Sequence, residues 1–88
     1  MSQIPKQKPD YRLEKLDDEM LLFHPTEKVI MYCNPTASLV WQLCDGQRAT
    51  KEIIDLLRNA YPENTNSIAN DVDATLKEYA DHGAIEFV

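Results

Sequence analysis

With 88 residues, 43% of them apolar and 27% charged, the chain has the size and composition of one small globular domain, too small to spend much of its core on a deep enclosed cavity. Apolar runs such as Met20–Phe23 and Ala37–Trp41 fall far short of the roughly 20 residues that cross a bilayer, and the start lacks a secretory signal, so a cytoplasmic protein with no membrane partner is expected. Of the net charge of −6, residues 45–88 carry −5 (four basic, nine acidic), which repels a phosphate backbone and makes nucleic acid an unfavoured partner.

Residues 1–10, with Pro5, Pro9 and several Gln and Lys, are polar and unpatterned, the composition of a flexible N-terminal arm ahead of a domain over residues 11–88. Three short runs follow: YRLEKL (Tyr11–Leu16), MLLFH (Met20–His24) and VIMYC (Val29–Cys33). The breaks DDE and PTEK between them have hairpin length, so the runs predict a three-stranded antiparallel meander. VIMYC holds no charge and is rich in β-branched and aromatic types, which suits a strand apolar on both faces.

Asn34 is placed to cap a first helix, with Pro35 at the first helical position where its missing N–H costs nothing. This helix should run to about Cys44, and its apolar residues cover more than half its circumference, so it should be surrounded. Asp45-Gly46 supplies the stop. Thr50 predicts the cap of a second helix carrying Ile53, Leu56, Leu57 and Ala60 and ending near Pro62. Asn66 or Ser67 predicts the cap of a third, with Ile68, Val72, Leu76 and Tyr79 on one stripe and Gly83 closing it. The tail AIEFV reads as a final short strand or a strap. The order is βββααα, an α+β winged helix-turn-helix in which a three-stranded antiparallel sheet precedes three helices.

Chemistry finds little to rest on. Cys33 and Cys44 lie eleven apart without a CxxC pair, and adding His24 and His82 gives no metal-ligand spacing, so no metal or other cofactor is expected. His24 at a strand end and His82 at a helix end make no triad-like set with either thiol. Asp71, Asp73, Glu78 and Asp81 read as a solvated helix face, and two glycines build no phosphate loop. The chain therefore reads as a binding protein and not an enzyme. A DNA-binding regulator is the alternative that the fold class suggests, but either candidate recognition helix is acidic or charge-balanced. The sheet edge remains: VIMYC can accept an extended peptide as an added strand, with the third helix alongside forming a groove, unless the tail or a second copy in a homodimer covers it.

The segments CNPTASLVWQLCDGQRATKEIIDLL and DVDATLKEYADHGAIEF, taken in order, resemble the PqqD family, the coenzyme PQQ synthesis protein D group and its relatives. The shared pattern is the Asn-led first helix, the DG stop, a Thr-led second helix with paired isoleucines, an Asp-Val in the third helix and a small-residue turn before an apolar tail. The resemblance covers roughly residues 11–88. It implies a non-catalytic module that binds the leader of a ribosomally made precursor peptide and presents it to a modifying enzyme, of radical SAM type in PQQ biosynthesis. It also implies strand addition to Val29, Ile30, Met31, Tyr32 and Cys33, with Asp71, Val72, Thr75, Leu76 and Tyr79 contributing the groove. HPTEKVIMYCN departs from the PQQ-dedicated proteins in lacking a glycine in its turn, so the pathway is PQQ biosynthesis or a related peptide modification.

Overall fold

Leu22 and Met31 sit opposite each other on neighbouring strands, both buried, and this pair anchors the inner face of the sheet. The computed structural model describes residues 3–17, 19–26 and 29–88; Asp18 of the first expected turn, and Glu27 and Lys28 of the second, lie outside them, as do Met1 and Ser2. Strands β1 (Pro5–Gln7), β2 (Arg12–Leu16), β3 (Glu19–His24) and β4 (Val29–Cys33) precede helices α1 (Pro35–Leu43), α2 (Thr50–Ala60) and α3 (Thr65–Asp81), and β5 (Ile85–Phe87) ends the chain. Strands β2, β3 and β4 form the expected antiparallel meander, in that order, with three helices after it.

The helix starts show which local signals act. Asn34 Oδ1 accepts from the N–H of Ala37 at 2.7 Å and Pro35 opens α1, as the sequence suggests. α1 buries Ser38, Val40 and Trp41, with Ala37, Leu39 and Leu43 half-buried and Gln42 left in solvent. Thr50 does not cap α2: Ala49 is the N-cap, and Glu52 Oε1 accepts from its N–H at 3.2 Å. The Thr50 hydroxyl and N–H both donate to the Gln3 carbonyl, so Thr50 holds the N-terminal segment. Nor does α3 wait for Asn66 or Ser67; it begins at Thr65, directly after a 3₁₀ turn over Pro62–Asn64 that Pro62 opens.

Within the segment read as a flexible arm, residues Pro5–Gln7 form a strand. β1 pairs antiparallel with β5, Pro5 opposite Phe87 and Gln7 opposite Ile85, and Pro5 is buried. The same segment clamps the α1–α2 turn: Gln7 N donates to Cys44 O, Gly46 N to Pro5 O, and Gln7 Nε2 to Trp41 O at 2.7 Å. Gly46 takes a left-handed φ of 77°, which glycine adopts without strain, and a Cβ there would also meet the Lys6 side chain at 3.0 Å. A polar composition hides such a strand because its energy lies in backbone bonds to residues some eighty positions away. The tail AIEFV, once engaged with β1, is unavailable to β4.

The core gathers the inner face of the sheet, Trp41 and Val40 of α1, Ile53 and Leu57 of α2, and the stripe Ile68, Val72, Leu76 and Tyr79 of α3. Tyr79 is its polar tie: its hydroxyl donates to Ala37 O at 2.7 Å, lies 3.4 Å from Cys33 Sγ, and its ring meets Trp41 edge-on at 5.7 Å. Both cysteines are buried free thiols, and Cys44 Sγ donates to Val40 O at 3.1 Å.

Two consequences are testable. Tyr79→Phe removes the hydroxyl's bond to the Ala37 carbonyl and its contact with Cys33 Sγ and should cost about 1 kcal/mol, read as a lower urea midpoint at unchanged slope. Burial, and secondarily the Asp45 carboxylate, push the Cys44 thiol up from 9.0 to about 12. The unfolded chain therefore releases this proton before the folded one, so stability should fall as pH rises from 9.0 toward 12. Cys44→Ala should remove that part of the alkaline decline in a pH series of urea melts.

Candidate functional site

Among the described residues β4 has one strand neighbour, β3, so its other side is a free edge. In an antiparallel ladder alternate residues turn their N–H and C=O to opposite sides, so every second residue of β4 offers both groups to that edge. Side chains alternate as well, across the faces of the sheet. Met31 and Cys33 point into the core at 5% and 8% exposure, whereas Ile30 and Tyr32 stand in solvent at 63% and 74%. The register sets Ile30 beside Phe23 and Tyr32 beside Leu21, both half-buried, giving an apolar row on the outer face. The far edge differs: β2 reads RLEKL, with three charged residues in five, and β4 reads VIMYC with none.

α3 meets the sheet at the end of β4. Tyr79 touches Cys33 at the end of β4 and, three residues on, the His82 carbonyl accepts from Tyr11 Oη at 3.2 Å, next to the start of β2. The helix thus crosses the inner side of the sheet and, read backward from Tyr79, heads out on the β4 side. One flank, with Asp73, Lys77 and Ala80, lines a cleft shared with Gln3, Thr50 and Phe87 near β5. At about 100° per residue Asp71, Thr75 and Glu78 fall on the opposite flank, next to Tyr79 and toward the sheet. A groove of ≈ 500 Å³ opens at the end of β4, lined by Glu19, Met20, Tyr32, Cys33, Asn34 and Pro35.

The ten residues singled out from the sequence divide accordingly. Val29–Cys33 form one continuous strand, of which Ile30 and Tyr32 also present side chains. Val72, Leu76 and Tyr79 are buried, so their side chains hold α3 in place, while Asp71 is exposed and Thr75 half-buried. Phe23 and Leu21, beside Ile30 and Tyr32, and Glu78, beside Tyr79 on α3, are further candidates that were not singled out from the sequence. The strand alternation carried the signal for the first two: once Leu22 is assigned inward, Leu21 and Phe23 must face out.

Burial holds the Cys44 thiol neutral, and Cys33 Sγ faces the Tyr79 hydroxyl in the core. His82 Nδ1 lies 2.8 Å from the Glu78 carbonyl, the helix-end position its sequence context suggests. Among the described residues no cluster of His, Cys, Asp and Glu could hold a metal ion, and no helix is long and apolar enough to cross a membrane.

Comparison with known proteins agrees with the resemblance carried by the sequence. A solved structure described as TbiB1 in complex with the TbiA(beta) leader peptide superposes with a TM-score of 0.73 over 92% of this chain and 94% of that one, at 21% identity, which shows a shared fold. No curated protein matches the sequence. The family model for coenzyme PQQ synthesis protein D (PqqD) matches residues 19–85, from the start of β3 into β5. The chain belongs to the PqqD family.

Proposed function

We propose that this protein binds the leader of a ribosomally synthesised precursor peptide by strand addition to β4 and presents it to a modifying enzyme. The partner is a radical SAM enzyme or another peptide-modifying enzyme, and the pathway is PQQ biosynthesis or a related one. The protein itself is a non-catalytic recognition element working in the cytoplasm, where such precursors are made.

One observation carries this reading: the two edges of the sheet are unequal. β2 guards its edge with Arg12, Glu14 and Lys15, while β4 is uncharged, has one strand partner among the described residues, and presents Ile30 and Tyr32 to solvent. Membership of the PqqD family and the fold shared with a protein solved with a leader peptide support it. Nothing comparable favours DNA, since the exposed side chains of α3 include Asp71, Asp73, Glu78 and Asp81 against Lys77 alone.

The test is a titration with a fluorescent candidate precursor peptide, for which saturable binding is expected. Ile30 and Tyr32 are exposed, so the double variant I30S/Y32S should stay folded, with a thermal midpoint lowered only by the loss of their pairs with Phe23 and Leu21. Losing two cross-strand pairs with the peptide should weaken binding by about 1–2 kcal/mol, roughly tenfold. Unchanged affinity in this variant would sink strand addition at β4. A gel shift with duplex DNA at low salt should show no complex, because any DNA binder has at least nonspecific affinity there.

A further inference from the structure

A strand added to β4 has two faces, and the two meet different surroundings. Its outward side chains would continue the row in which Ile30 lies beside Phe23 and Tyr32 beside Leu21. Neighbouring strands lie about 4.8 Å apart, so these side chains would pack directly on Ile30 and Tyr32. Its inward side chains would pass the buried Met31 and Cys33 and meet the sheet-facing flank of α3.

That flank is acidic. In helical order around α3, Leu76 faces the cleft near β5, Tyr79 faces α1 and Cys33, and then come Thr75, Asp71 and Glu78. Asp71 and Glu78 are exposed, and no lysine or arginine shares the flank. Lys77 is on the far side of the helix, 2.8 Å from Asp81, which is its salt-bridge partner.

We propose, building on the leader-binding reading, that the peptide taken up by β4 is an amphipathic cationic strand, with apolar side chains outward beside Ile30 and Tyr32 and lysine or arginine inward toward Asp71 and Glu78. Lysine and arginine suit the inner positions because their aliphatic stems can lie along an apolar floor while their charged ends reach a polar rim. Exposed carboxylates act mainly on partner choice, encounter rate and salt dependence. The flank is therefore a filter on sequence, and the strand edge provides the pairing.

Two synthetic peptides test this, both with valine and tyrosine at alternate positions, one with lysine and the other with glutamate between them. Fluorescence anisotropy at low salt should show the lysine peptide binding about tenfold tighter, with the gap shrinking as salt rises. The double variant D71N/E78Q should reduce the preference to about twofold, whereas Lys77→Gln on the far flank should leave it unchanged. Circular dichroism checks that both variants keep the wild-type fold. Equal binding of the two peptides, preference for glutamate, or a preference that survives D71N/E78Q overturns the cationic filter while leaving strand addition standing. If neither peptide binds and the candidate precursor also fails to bind, the leader-binding reading falls and takes the filter with it.

Discussion

The Tyr79 hydroxyl is the contact on which the working geometry depends. It joins three elements at one point: α3, which carries it; α1, whose Ala37 carbonyl accepts from it; and β4, whose Cys33 sulfur lies beside it. Burial, and after it the contact with Cys33, raise the phenol above its ordinary range, so it remains a donor. Its ring continues through Trp41 to Tyr11 and on to His24, with centroids 5.0–6.0 Å apart, which links α3 across the domain to the hairpin side of the sheet. The direction in which α3 leaves the sheet, and hence what borders the β4 edge, follows from this chain of contacts.

A second constraint keeps that edge free. The tail could in principle have laid itself on β4, but β1 engages it: Val88 N donates to Ile4 O, Lys8 N to Ala84 O, and β5 pairs with β1 between them. β1 is held in turn by the α1–α2 turn, where Gly46 lets the chain approach Lys6 and Asp45 Oδ1 accepts from the N–H groups of Gln47 and Arg48. Those bonds, the one from Gln47 foremost, hold the Asp45 carboxyl below its usual range. A segment far from the candidate site in sequence thus decides which strand edge is available.

The local parts of this fold were legible in the sequence. The meander, the Asn34-Pro35 start and the α3 stripe each rest on interactions close in sequence, where propensity and periodicity act. What escaped rests on distant partners. Pro5–Gln7 looked like an arm because nothing local makes it a strand, and Thr50 looked like a cap although its hydroxyl is spent on Gln3. At the candidate site, VIMYC was legible as a strand and as an edge. Its expected cover on both faces was not met, since Ile30 and Tyr32 face solvent. Composition could not separate a doubly buried strand from one that keeps an apolar face open.

That open face bears directly on why the edge is built this way. An uncharged edge strand with exposed apolar side chains is a standing hazard, because it can template pairing with any extended chain. The domain suppresses the hazard elsewhere: β2 interleaves charges, and β1 and β5 cover each other. β4 combines one strand neighbour among the described residues with no charge and exposed apolar side chains, the combination on which the proposed strand addition rests. The acidic balance of the chain, −6 overall, works in the same direction, since like-charged copies repel each other at long range and the cationic strand proposed above would be attracted. On the proposed reading, an uncharged strand edge in acidic surroundings would accept a cationic partner strand more readily than a second copy of the same acidic chain.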